Sequence, residues 1–277
     1  MKKNYFIVLL FIACISVVNA QNDSTTPNKI EFKLGLNYNS GFNYYGRTDS
    51  LKSSGFFPLA EIWFTQHLYV NAAPVFINNQ VERLQYAGTI TTLGFQHISK
   101  KWFTNIYLSK PFYKQSSQLV QSALKGQAGI NLSYLTSIFN ITGGADIKYS
   151  NKADYGATSG IDHIFRIQNN DNSVIVIDPT FTIYSGTQNF TNSYYEKKPG
   201  FLLLPGTSSQ VNKNEQRFDL LAYEFSIPFI YSMGKWQLLI TPAYIVPKNL
   251  ITIPDHPELS EKGEPMFYGT AGIKRSF

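Results

Sequence analysis

The stretch Lys29–Ser40, KIEFKLGLNYNS, decides the fold. Ile30, Phe32, Leu34, Leu36 and Tyr38 take every second position, and Glu31, Lys33, Gly35 and Asn37 fill the positions between. Successive side chains of an extended chain point to opposite faces, so this is a strand with one apolar and one polar side. A helix would repeat its apolar positions every three or four residues, and no stripe of that period and of helical length occurs in the sequence.

The same two-residue period recurs outward from this stretch. Phe139, Ile141, Gly143, Ala145, Ile147 and Tyr149 share one face, with Asn140, Thr142, Asp146 and Lys148 among the residues between them. Tyr223, Phe225, Ile227, Phe229 and Tyr231 alternate with Glu224, Ser226 and Pro228 in the same way. Further strands are expected near 56–66, 67–78, 82–98, 101–113, 126–136, 137–149, 158–169, 173–186, 216–232, 235–246 and 265–277, which with the first makes about twelve. In 82–98, Leu93 and Phe95 fall out of phase with Leu84, Tyr86 and Ile90, which predicts a bulge.

Tight links rich in Ser, Thr, Asn and Gly are expected at Thr65–His67, Ser99–Lys101, Thr136–Ser137, Asn169–Asn172 and Ser232–Lys235. Longer polar links are expected at 41–55, 114–125, 150–157, 187–215 and 247–264, with a shorter one near Asn78–Gln80. Short and long links alternate, so the long ones gather at one end of an up-and-down meander.

The first twenty residues form a separate unit. Lys2 and Lys3 make a positive start, Tyr5 through Val18 an apolar core, and Val18-Asn19-Ala20 a small-residue cleavage site that leaves Gln21 as the mature N-terminus. The core falls short of the roughly 20 apolar residues of a helical span. Cys14 is a poor lipoprotein site, since Phe11 stands where a small aliphatic residue is needed. Cleavage removes Cys14, the only cysteine, so disulfides and thiolate chemistry are excluded from the mature chain. It also takes two lysines, lowering the formal charge from +6 to +4 (22 − 18), with no basic run that would bind nucleic acid. The 21 Phe, 18 Tyr and 3 Trp are far too many for a disordered coil.

A strand with one apolar face suits a soluble barrel or sandwich turned inward, or a membrane barrel turned outward. Strand length favours the membrane, because spanning strands need about 9–11 residues where soluble ones use about 5–6. Aromatics also collect near strand ends, at Tyr38, Trp63, Trp102, Tyr134, Tyr149, Tyr231 and Trp236, as two headgroup-level girdles require. The last strand carries Phe267, Gly269, Ala271 and Ile273 on one face and ends on Phe277.

The export signal and this terminal Met266–Phe277 strand resemble the outer-membrane β-barrel proteins of Gram-negative bacteria. The resemblance covers the mature chain as architecture, although its motif is only the last dozen residues. It implies a location in outer-membrane lipid and a C-terminal signal, made of Ala271, Ile273 and Phe277, read by the barrel-assembly machinery. Arg275 departs from the apolar preference of that family at the antepenultimate position. The expectation is therefore an all-β protein, residues 1–20 a cleaved signal peptide and 21–277 one antiparallel up-and-down transmembrane barrel of about twelve strands.

Carried inward, the alternation lines the lumen with Glu31, Lys33, Glu61, Arg83, Asp146, Lys148, Asp162, Arg166, Asp178, Glu224 and Lys274. Ionisable groups at membrane depth must be paired or wet. The set reads either as a charged passage for small polar solutes or as a salt-bridged interior that closes a narrow barrel. His97-Ile98-Ser99 with Asn105 is similar to the Ser–His–Asn centre of outer-membrane phospholipase A, which would make His97 the base, Ser99 the nucleophile and Asn105 the orienting group. Lys100-Lys101 replaces the Asn-Gly that follows that nucleophile, and Asn105 stands too close in sequence, so a polar turn is the preferred reading and no catalytic residue is assigned.

His67, His163 and His256 are scattered, so no metal or other cofactor is expected. The glycines at Gly126, Gly129, Gly143 and Gly144 read as close packing within strands, and Ser116–Leu124 as a short helix. In the 187–215 link, the apolar run between Gly200 and Gly206 suits a surface partner, an infolded constriction or a hairpin standing above the membrane, the last preferred. A non-enzymatic channel or passive transporter is the leading functional expectation. A structural or surface-interaction barrel with an occluded lumen is the alternative, and a phospholipase-like enzyme stands third.

Overall fold

A two-faced strand leaves backbone donors and acceptors on both edges, and each strand here meets a partner along both. The computed structural model describes residues 30–170, 172–190, 217–252 and 260–277, so the proposed signal peptide, most of the 187–215 link and His256 lie outside the described residues. Twelve antiparallel strands follow in order: β1 (Glu31–Asn39), β2 (Ser54–Trp63), β3 (Leu68–Asn78), β4 (Gln85–Ile98), β5 (Trp102–Tyr113), β6 (Gly126–Tyr134) and β7 (Asn140–Tyr149). β8 runs through Ala153–Asp162 and Phe165–Asn170, β9 through Ser173–Ile177 and Thr180–Gly186, and β10 through Asp219–Ser226 and Phe229–Met233. β11 (Trp236–Pro247) and β12 (Met266–Ser276) complete the set.

Each strand pairs with its neighbours in sequence, and β12 returns to β1, from Lys33 opposite Ser276 to Asn39 opposite Thr270. The sheet is thus a closed twelve-stranded barrel. β4 does carry a bulge, but at Ala87, ahead of the phase break expected after Ile90: Val75 faces Gly88 and Phe76 faces Tyr86.

Three neighbouring strands are split, two of them at a proline. Asp178-Pro179 divides β9, Ile227-Pro228 divides β10, and His163-Ile164 divides β8 beside them. Proline has no N–H to give the ladder. Single bonds carry the wall across the row: the amides of His163, Asp178 and Ile227 donate to the carbonyls of Pro179, Pro228 and Pro242 at 3.3, 3.0 and 3.0 Å.

The apolar faces look out. Phe32 is 51% exposed, and Leu34, Leu36, Ile141, Ile147, Phe225, Leu238 and Ile240 are exposed with it, whereas Glu61 and Lys148 are buried on the opposite face. In water such a molecule would be inside out. In hydrocarbon the exposed belt is the solvated surface and the polar face is the interior.

Aromatic pairs frame the belt, Tyr38 with Phe56 (4.9 Å between centroids) at the end bearing the long links and Trp102 with Tyr134 (5.0 Å) at the other. At the long-link end, Lys110, Lys114, Lys125 and Lys248 lie over Phe112, Tyr86, Tyr149 and Tyr223. Arg275 also faces outward. Its guanidinium sits 5.1 Å from the ring of Trp236 and 4.9 Å from that of Phe277, so the charge is carried at an aromatic interface and not in the belt.

Three expectations are corrected. Trp63 is not a girdle residue. It points inward, stacks on Tyr69 (4.7 Å) and donates from Nε1 to Glu61 at 2.9 Å, because it shares the parity of Glu61 and not that of Ile62. The link expected at 150–157 is a tight turn, with β8 starting at Ala153; small residues such as Ala153, Gly156 and Ala157 mask the strand's period.

Arg83 is not in the wall but exposed in the link before β4. There the Asn79 carboxamide accepts from the amides of Val81 and Glu82, and Leu84 takes a φ of 49°, which delays the strand to Gln85.

Replacing Leu34 by arginine at mid-belt is expected to destabilise the barrel in lipid vesicles by about 2–4 kcal/mol. Denaturant titration of vesicle-folded protein measures it, and a variant as stable as wild type would count against a lipid-facing Leu34.

Candidate functional site

The polar interior resolves into two charged clusters on opposite walls. On β1, β2 and β12, Lys33 pairs with Glu31 at 3.2 Å and lies 4.6 Å from the ring centre of Trp63, while Lys274 reaches Glu61 at 3.5 Å. On β7, Lys148 and Asp146 form a buried ion pair. Lys148 also lies 5.2 Å from the ring of Tyr45. Nearby, Gln127 donates to the hydroxyl of Tyr107 at 2.9 Å. Gly129 makes this possible, since the ring of Tyr107 occupies the space a Cβ at that position would need.

Glu224 on β10 accepts from the hydroxyl of Tyr268 on β12 at 2.8 Å. Asp162 accepts from Asn140 at 2.6 Å and lies beside Asp178, which sits in the break of β9. Arg166 is exposed on the short second segment of β8, away from both clusters. Ala271 and Ile273 lie on the outer face of β12, and the amide of Phe277 donates to the carbonyl of Phe32 at 2.9 Å.

The sequence gives little sign of the element that shapes the mouth. The link between β1 and β2 turns inward and is capped by a two-residue hairpin. Tyr44 and Arg47 exchange backbone bonds (2.8 and 3.1 Å) around Tyr45-Gly46. Both turn residues have positive φ, 55° and 74°, the pattern of a tight primed turn. At Gly46 a side chain would be strained by that φ and would meet Pro247 at 2.9 Å.

Arg47 is 1% exposed, and all five of its N–H groups are engaged. Nε donates to Glu261 at 3.1 Å, Nη1 to the carbonyls of Tyr45 and Leu221 at 3.1 Å each, and Nη2 to Gln188 at 2.5 Å and the carbonyl of Lys248 at 3.2 Å. One guanidinium thereby ties the β1–β2, β9–β10 and β11–β12 links together. Asp154 fixes the β9–β10 link from below, accepting from Thr187 (2.7 Å) and from the amides of Asn189 (2.6 Å) and Phe190 (2.8 Å).

Tyr44 packs edge-on to Phe190 at 4.7 Å, and Tyr45 lies 5.2 Å from Tyr184. Burial pushes both loop phenols above the usual tyrosine range, so they remain neutral. A second inward fold lies across the mouth, where Leu119, ahead of the short helix Val120–Ala123, packs with Val75, Ile77 and Ala87. Between the β1–β2 link and the wall lies a cavity of about 250 Å³, bordered by Tyr45, Tyr184, Tyr268, Gln127, Lys148 and Glu224 among others.

His97, Ser99 and Asn105 do not meet as a catalytic centre. His97 lies tilted beside His67 (5.0 Å) on the outer face, Ser99 is spent on the turn, accepting from the amide of Trp102 at 3.1 Å, and Asn105 is on the inner face. His163 lies near the tight-turn end between Phe139 and Phe165. Among the described residues no group of three His, Cys, Asp or Glu side chains is placed to hold a metal.

A closed ladder, an outward apolar belt and a polar interior define an integral β-barrel of the outer-membrane class. Solved structures of similar architecture include the KdgM porin (TM-score 0.46, 9% identity, covering 89% of this chain and 99% of that one). The NanC porin (0.45, 10%, 89% and 99%) and LpxR from Salmonella typhimurium (0.46, 7%, 88% and 99%) are others. These likenesses are of fold alone. No family model matches the sequence, and no curated protein does.

Replacing Arg47 by alanine leaves the buried Glu261 without its cation, a loss of about 3–5 kcal/mol for a broken buried pair. The expected result is a β1–β2 link newly open to protease between residues 40 and 53 in a barrel that stays folded. Lysine at position 47 should not restore protection, because an ammonium cannot hold five acceptors in one plane. Limited proteolysis with mass mapping decides it, and a link as resistant in R47A as in wild type would refute the anchoring role.

Proposed function

We propose that this protein is a non-enzymatic outer-membrane channel or passive transporter for small polar solutes. It is exported by a cleaved signal at residues 1–20 and inserted into outer-membrane lipid by the barrel-assembly machinery acting on Ala271, Ile273 and Phe277 of the 21–277 barrel. The solute path runs past the paired charges of Glu31, Lys33, Glu61 and Lys274 on one wall and of Asp146 and Lys148 on the other, and past the carboxylates of Asp162 and Glu224. One observation carries the reading. The polar interior still holds a cavity of about 250 Å³ beside the infolded link, where side chains alone have not filled the barrel. Eight strands make an interior that side chains can fill, and twelve make a wider one.

A second reading has its own support. The complete engagement of Arg47 favours a mouth held shut, and with it a structural or surface-interaction barrel whose long links meet a partner. Single-channel recording of the purified protein in planar bilayers separates the two. The channel reading expects discrete conductance steps in wild type and larger steps in R47A, whose constriction is released. If neither protein rises above the bilayer background, the occluded barrel is the better account.

A further inference from the structure

The cavity at the mouth offers hydrogen bonds and aromatic faces, and its one cation is already paired. Tyr45 and Tyr184 border it with rings 5.2 Å apart and inclined at 51°, and Tyr268 adds a third ring from β12. Gln127 brings a carboxamide from β6, a donor and an acceptor together. Of the two charged groups that reach the space, only Lys148 is answered by an opposite charge. Lys148 is held by Asp146, and Glu224 accepts from the hydroxyl of Tyr268 at 2.8 Å. An entering anion would find its one counter-charge already engaged and would be repelled by Glu224. A solute with hydroxyl groups and apolar C–H faces would find partners for both.

Size narrows the choice. Pockets for drug-sized molecules run to about 300–1,000 Å³, and this one is near 250 Å³. We infer that the cavity is a binding subsite for a neutral polyhydroxylated solute about the size of a single sugar ring. The C–H face of the ring packs against Tyr45 and Tyr184, and its hydroxyls exchange hydrogen bonds with Gln127 and the phenols. The inference names the solute class for the channel reading and rests on it for the route of entry, but occupancy of the subsite does not require conduction.

The test uses the mature barrel in planar bilayers and, in detergent, isothermal titration calorimetry. The probes are glucose and myo-inositol, with gluconate and glucosamine as charged analogues of similar size. Millimolar glucose or inositol is expected to interrupt the ionic current and to bind in calorimetry, at least tenfold more tightly than gluconate. Tyr184→Ala and Gln127→Ala should each weaken glucose binding about tenfold or more, in proteins that still migrate differently boiled and unboiled on a denaturing gel.

A steady current untouched by glucose and inositol, with no heat of binding, would overturn the subsite and leave the channel standing. Gluconate or glucosamine binding as tightly as glucose would overturn the neutral-solute assignment. Glucose binding that Y184A and Q127A both abolish, in a protein that passes no current, would support the subsite and remove the channel.

Discussion

The constraint beneath this structure is the cost of an unpaired peptide group in hydrocarbon. Each exposed N–H or C=O that lacks a partner there costs several kcal/mol. An open sheet of twelve strands would present two whole edges of such groups to the lipid. Pairing β12 with β1 from Lys33–Ser276 to Asn39–Thr270 removes both edges at once. Once the ladder is closed, the two faces of every strand have fixed environments. Residues of the Phe32 parity meet lipid, and residues of the Lys33 parity meet one another.

That enforced crowding explains the interior. Charges cannot retreat to bulk water, so they settle in pairs: Lys33 with Glu31, Lys274 with Glu61, Lys148 with Asp146. Aromatic side chains fill much of the remaining width, lying flat where a neighbouring strand supplies glycine, as Tyr107 does over Gly129 and Tyr69 over Gly94. At the mouth the wall contributes less, and the links themselves supply the packing through Arg47, Tyr44, Phe190 and Leu119.

The barrel was legible because its signal is local and repeated. Period-two alternation in Lys29–Ser40 depends on the lipid outside and the crowding inside, and both act on every strand. Strand starts were harder to read. At Ala153 small residues flatten the alternation, and at Arg83 an Asn79-capped turn holds the chain out of the sheet. Trp63 misled because an indole serves equally at a headgroup girdle and as a platform for an interior lysine.

The anchor at the mouth was illegible for a different reason. Asn43-Tyr44-Tyr45-Gly46 announces a turn, but the partners of Arg47 (Gln188, Leu221, Lys248 and Glu261) lie more than 140 residues downstream, and nothing local says that the turn bends inward. A lone arginine in a polar link reads as solvated until the fold gathers the carbonyls around it.

A row of single hydrogen bonds to Pro179, Pro228 and Pro242 crosses the wall from β8 to β11. Elsewhere neighbouring strands are sewn by reciprocal pairs of bonds, which resist rotation. Along this row each strand gives a single amide to the next, all in the same circumferential sense, and proline has withdrawn the return stitch. The carbonyls of Pro179, Pro228 and Pro242 are all taken, so the seam spares them the penalty of an empty acceptor. One sector of the cylinder is thereby held by half the usual number of bonds along this row, yet stays sealed against the oil around it.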